Sequence, residues 1–154
     1  MWIKELFTND ILIFSILSNI TAQALKVLLD YQHTKRINWK LAVSAGGNPS
    51  SHTATVTTLT VILGVRYGLN SPYFTIAFIM GTIVVIDALS VRREVGEHSK
   101  TMNELLWDTA WGEKLREIID VKKFRELMGH TGLEVTAGFI WGVLIALIDI
   151  AFVK

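Results

Sequence analysis

Polar and apolar positions along this chain are sorted into long blocks. Four apolar runs, 11–29, 52–69, 72–91 and 134–153, are separated by polar connectors. Each run approaches the roughly 20 residues that a helix needs to cross a hydrocarbon core of about 30 Å. The first is interrupted by Asn19, Gln23 and Lys26. Tyr31, Trp39, Tyr67 and Tyr73 stand near run ends, where aromatic rings suit the membrane–water interface. The connectors 30–51 and 92–129 are long, whereas little more than "GLNSP" joins the second and third runs, and Pro72 fits a first-turn helix position. Within 92–129, Trp111, Leu115, Ile118 and Ile119 recur at helical spacing, and Phe124, Leu127 and Met128 continue an apolar face. That pattern predicts an amphipathic segment lying on the membrane surface or on the bundle; a solvated connector helix explains it equally well. The expected architecture is an all-α integral membrane bundle of about four transmembrane helices plus an amphipathic cytoplasmic segment, with residues 1–154 as a single membrane-embedded domain.

Composition supports this picture. Of 154 residues, 51% are hydrophobic and the mean hydropathy is +0.41, too apolar for an ordinary soluble domain. A formal charge of +1 gives no reason to expect a nucleic-acid partner, and the absence of cysteine removes disulfide and thiolate chemistry. "AQA" at 22–24 resembles a signal-peptide cleavage site, but Glu5 and Asp10 accompany Lys4 in a region that should be positive, so the first helix is expected to be retained. Three Lys/Arg in the first long connector and eight in the second make up eleven of the chain's fifteen. The positive-inside rule then predicts a multi-pass protein of the cell membrane with both long connectors in the cytoplasm.

The polar residues at the run ends carry the candidate chemistry. Lys26, His52, Asp87 with Arg92 and Arg93, and His130 with Glu134 all map to the side of the long connectors. Ionisable groups at membrane depth are costly and pair or face a cavity, so a shared polar pocket at the cytoplasmic mouth is expected. Lys26, Arg92 and Arg93 suit a phosphoryl group, and Ser50, Ser51 and the amides opening the second span would form an anion-attracting helix N-terminus. His52 and His130 supply a proton donor and a nucleophile. Glu134, four residues after His130, shares its helix face and could hold the imidazole N–H. Each residue also has a plainer role. Ser50 or Ser51 could be an N-cap, and Thr131 with Glu134 matches the capping box T-x-x-E. Lys26 could snorkel, Arg92 and Arg93 could be topogenic, and Asp87 could pair with one of them. Convergence on one membrane face favours phosphoryl transfer.

"AQALK" (22–26), "GGNPSSH" (46–52), "DALSVRR" (87–93) and "GHTGLEVTAG" (129–138) together resemble the divergent branch of the type 2 phosphatidic acid phosphatase family, which is related to acid phosphatases and vanadium-dependent haloperoxidases. The resemblance implies a helical bundle that hydrolyses phosphomonoesters or diphosphates without a metal or other cofactor. By the same resemblance His130 is the nucleophile, Glu134 its orienting acid and His52 the acid for the leaving oxygen. Ser50, the Ser51 amide, Lys26 and Arg92 or Arg93 would bind phosphate, with Asp87 in support. The chain departs from the wider family in reading "PSSH" for P-S-G-H and Glu134 for an aspartate. Arg92 and Arg93 also lie on the far side of the polar connector from His130.

The expected function is a membrane phosphatase that hydrolyses a lipid phosphate or diphosphate through a phosphohistidine intermediate. The lipid would enter laterally from the inner leaflet, and self-association is compatible with so small a bundle. The alternatives are a non-catalytic module or partner subunit that binds phosphate headgroups, a small transporter or channel lined by Lys26, Asp87 and Glu134, and a metal-dependent hydrolase using Asp87 and Glu134. The apolar outer halves of the later spans and the surrounding cations disfavour the last two.

Overall fold

The computed structural model describes residues 2–44, 46–124, 126 and 128–152. Among these residues the chain forms α1 (Trp2–Thr8), α2 (Asp10–Thr34), a 3-10 turn (Trp39–Val43), α3 (Ser51–Tyr67), α4 (Pro72–Leu89), α5 (Val91–Trp107), α6 (Ala110–Ile118) and α7 (Gly132–Phe152). Local chemistry sets the helix starts. Asn9, Ser50 and Ser71 each accept a hydrogen bond from a first-turn amide through the side chain, and Pro72 occupies the first position of α4. α3 stops at Gly68, whose φ is 84°.

α3 is the central helix, packed by α2, α4 and α7. Its neighbours present small or polar residues to it: Ser15, Ser18, Ala22 and Lys26 on α2, Ala77, Gly81 and Ala88 on α4, and Gly138, Gly142 and Ala146 on α7. The two α7 glycines allow backbone contact, because a Cβ would fall 2.4 Å from the Ser50 carbonyl oxygen at Gly138 and 2.5 Å from that of Ala54 at Gly142. α3 and α7 therefore run parallel, pressed together along their length. Thr58 Oγ1 sits 2.8 Å from Ser18 Oγ and 2.9 Å from the Gly142 carbonyl, so one hydroxyl ties α2, α3 and α7.

The outside is the inverse of this core. Leu17, Ile20, Ile76, Ile79, Ile83, Ile140, Leu144 and Leu147 are all exposed. A polar, small-residue interior inside an apolar shell is the arrangement expected when lipid is the solvent, since packing and hydrogen bonds then hold helices together. α2, the α4–α5 stretch Pro72–Trp107 and α7 are long and apolar enough to cross a membrane. The fourth expected span, α3, is shorter at 17 residues and is packed by α2, α4 and α7.

Two expectations change in detail. The 92–129 connector holds a second helix, α5, which continues from α4 after a break at Ser90. The amphipathic helix is confined to Ala110–Ile118; Ile119 caps it in extended conformation, Phe124 and Met128 lie in non-helical chain, and Leu127 falls outside the described residues.

The end opposite the long connectors carries a charge cluster that sequence reading did not flag. Arg66 at the end of α3 reaches Asp10 Oδ2 at 2.6 Å and both carboxylate oxygens of Asp149 at 2.9 and 2.7 Å, and the Asp149 side chain is fully buried. Removing Arg66 leaves that carboxylate unpaired. Arg66→Ala is expected to lose about 3–5 kcal/mol, against about 0–1 kcal/mol for Asp10→Ala at the more exposed partner. Thermal unfolding in detergent, followed by circular dichroism, checks the contrast, and the double variant Arg66→Met/Asp149→Leu should recover most of the loss.

Candidate active site

The opposite end gathers the residues singled out from the sequence. α3 opens at Ser50, which is fully buried and whose Oγ accepts from the Thr53 N–H and hydroxyl at 3.3 and 3.0 Å. Its own N–H donates to the Glu134 carbonyl at 3.0 Å, fastening the first turn of α3 to that of α7. Ser51 and half-buried His52 follow. Lys26 comes in from α2, 2% exposed, with Nζ donating to the Ser44 carbonyl at 3.3 Å.

His130 arrives on the chain that returns along α5. Asn103, buried on α5, receives the Phe124 N–H at 2.9 Å and donates to the Phe124 carbonyl at 2.9 Å and Glu126 Oε1 at 2.6 Å. A side-chain amide thus grips the returning chain as a neighbouring strand would. At Gly129 the chain turns with φ of 83°, and a Cβ there would fall 2.4 Å from the Arg93 nitrogen, so no larger residue fits. The next amide, of His130, donates to the Ala88 carbonyl at the end of α4 at 2.9 Å.

Glu134 then does two things with one oxygen. Its Oε2 accepts the Thr131 N–H at 3.1 Å while its N–H donates to Thr131 Oγ1 at 3.3 Å, a complete capping box. The same Oε2 lies 3.0 Å from His130 Nδ1. A carboxylate can only accept, so Nδ1 carries the proton and Nε2 keeps its lone pair. The capping and catalytic roles anticipated for Glu134 are compatible.

The His52 and His130 rings meet edge to face, centroids 6.2 Å apart. His130 Nε2, His52 Nδ1 and Ser51 Oγ are buried and have no hydrogen-bond partner among the described residues. Buried polar atoms are paired in the great majority of cases, so several orphans around an imidazole pair make this the candidate site. Burial pushes the His130 pKa below the ordinary histidine value. The Glu134 carboxylate opposes that shift, and the charges of Lys26 and Arg92 reinforce it. His130 is therefore neutral near pH 7, and both cations lie within electrostatic reach of it.

The two arginines part company. Arg92 is half-buried with its Nε 2.5 Å from Asp87 Oδ2, which makes Asp87 the residue that holds it. The Arg93 side chain is exposed, and its backbone forms the floor beneath Gly129. Asn103 and Thr131 complete the site's framework. The T-x-x-E signature pointed to Thr131, whereas Asn103 has no local signal, because its partners come from a segment distant in sequence. Among the described residues no three His, Asp or Glu side chains are arranged to hold a metal ion, and the cationic groups around His130 are Lys26 and Arg92.

The family described as "Divergent PAP2 family" matches residues 7–145. The protein called "Uncharacterized membrane protein YuiD" from Bacillus subtilis (strain 168) is 35% identical over 153 residues, covering 94% of this chain and 96% of that protein. No solved structure matches the chain. With a match that takes in α2 through most of α7 and a relative of nearly equal span, the chain belongs to the divergent PAP2 family.

Proposed function

We propose that this membrane protein is a lipid phosphate phosphatase acting through a phosphohistidine. The observation that carries the reading is the buried, lone-pair Nε2 of His130, oriented by Glu134, beside His52 and the free Ser51 hydroxyl. In the first step the Nε2 lone pair attacks phosphorus, the bond to the leaving oxygen breaks, and His52 donates a proton to that oxygen. A phosphate dianion beside His52 favours its protonated form beforehand. In the second step water gives a proton to His52 and its oxygen displaces Nε2, releasing inorganic phosphate. Lys26, Arg92, the Ser51 hydroxyl and the first amides of α3 stabilise the equatorial oxygens, and such preorganised electrostatics are usually the largest contribution. The positive connectors support a cytoplasmic position for this end of the bundle, with the substrate phosphate at the inner leaflet surface.

Phosphate release from lipid phosphates in mixed micelles containing EDTA tests the reading. His130→Ala is expected to remove the acid-labile phosphoenzyme and to lower release by roughly three orders of magnitude or more. Arg92→Ala should lower kcat/KM by about 2–4 kcal/mol, and Arg93→Ala should leave it nearly unchanged. Phosphate binding without release by the folded wild type would instead make this a headgroup-binding module.

The pH profile is a second check. Protonating Nε2 removes the nucleophile, so the acid limb of kcat/KM that His130 sets should lie below the ordinary histidine value, about 6.5. Lys26→Met or Arg92→Met relieves cationic repulsion and should move that acid limb upward. Glu134→Gln removes the group that supports the imidazolium and should move it downward. Limbs that do not move in these opposite senses would dissociate His130 from the step.

Asn103 acts at a distance by holding the chain that ends at His130. Asn103→Leu should lower kcat about tenfold or more, with little change in KM. Steady-state kinetics on the folded variant measures the split, and a matched loss in both parameters would count against a positioning role.

A further inference from the structure

We infer that one hydrocarbon chain of a membrane lipid phosphate lies in a lateral groove between α4 and α7, over α3, with its phosphate at His52 and His130; this rests on the phosphatase-site reading above. α4 and α7 each pack on α3 but scarcely on one another, which leaves a strip of α3 uncovered. The resulting groove, about 260 Å³, is lined by residues including Val56, Thr60, Phe78, Thr82, Ile86 and Phe139. Two of its three threonines are apolar in effect. Thr60 donates its hydroxyl to the Val56 carbonyl at 2.7 Å and Thr82 donates to that of Phe78 at 2.9 Å, each within its own helix. The walls therefore present mostly carbon.

The groove's lining begins within one helical turn of the charged site on α3 and one residue from it on α4. Val56 lies one helical turn beyond His52, about 6 Å along α3, and Ile86 immediately precedes the Asp87 that holds Arg92. A slot lined mostly by carbon and ending near His52 and the Asp87–Arg92 pair complements an amphiphile with an anionic head. From Ile86 to Phe78 the slot runs about 12 Å, less than half of the roughly 30 Å hydrocarbon core. Phe78 ends it, stacked on Phe74 with centroids 5.7 Å apart. That width and depth suit one chain rather than a helix of another protein, and the remainder of a longer chain would pass into the bilayer. Lipid tails are as apolar as these walls, so the groove adds little affinity. Its effect is to thread the chain so that the phosphorus is held in line with His130 Nε2, which is a contribution of orientation.

The test fills the groove from α4. Thr82→Trp and Val85→Trp place an indole in it, while Ile83→Trp puts the same bulk on an exposed position outside the lining. A hexadecyl phosphate bearing a mid-chain diazirine is photolysed with each protein in micelles, and labelled peptides are mapped. Hydrolysis of a long-chain lipid phosphate is compared with that of 4-nitrophenyl phosphate, which has no tail. Wild type and Ile83→Trp should be labelled on groove residues. Thr82→Trp and Val85→Trp should lose that labelling and about tenfold or more of long-chain kcat/KM, with 4-nitrophenyl phosphate turnover within about twofold. Labelling that maps to another face, labelling that survives the groove-filling variants, or equal loss on both substrates would overturn the inference. Groove labelling with no phosphate released from either substrate would overturn the phosphatase reading and leave the groove as the tail site of a binding protein.

Discussion

α3 and α7 run in the same direction and begin side by side, with the Ser50 N–H on the Glu134 carbonyl at 3.0 Å and Gly138 against the Ser50 backbone. Two helix N-termini therefore share one small volume. Each carries the positive end of a helix dipole and unsatisfied amides, so their juxtaposition is unfavourable until negative charge is supplied. Glu134 supplies part of it from within α7. Asp87 balances Arg92 and Lys26 offsets Glu134, so the positive ends of the two helices supply the field that favours an anion beside the two imidazoles. The close approach depends on glycine, because a side chain at Gly138 or Gly142 would push the helices apart and separate His52 from His130.

The site's second dependence is on a hand-over between distant segments. His130 belongs to α7 only by adjacency; its placement is set by the Ala88 carbonyl behind it and by Asn103 gripping the returning chain. Asp87, Ala88 and Arg92 sit on the α4–α5 junction. His130 and Arg92 are thus referred to the same few residues although the polar connector separates them in sequence. That arrangement gives a physical meaning to the displaced arginine of "DALSVRR".

The two ends of the bundle solve opposite problems with the same residue types. At one end buried polar atoms have no partner among the described residues: His130 Nε2, His52 Nδ1 and Ser51 Oγ. At the other, Arg66 saturates Asp149 and reaches Asp10, so charge serves cohesion. Asp149 escaped notice in the sequence because it lies within an apolar run near its end, and nothing local indicates that Arg66, far away in sequence, faces it. Arg92 and Arg93, adjacent and alike, could not be told apart for the same reason: which one turns inward depends on where Asp87 and Gly129 come to rest.

The sequence by itself determined the all-helical membrane class, the approximate extents of α2, α3, α4 and α7, their caps, and the grouping of Lys26, His52, Asp87, His130 and Glu134 at one end. Those features follow from run length, local capping and the alternation of span direction, all of which are short-range or simply counted along the chain. It did not determine α5, the confinement of the amphipathic helix to Ala110–Ile118, the role of Asn103, the Arg66–Asp149 pair or the slot between α4 and α7. Each of these is decided by which faces meet across long sequence separations. In an interior packed through small residues and hydroxyls, the apolar pattern that marks a core face in water is missing, so only the assembled bundle reveals them.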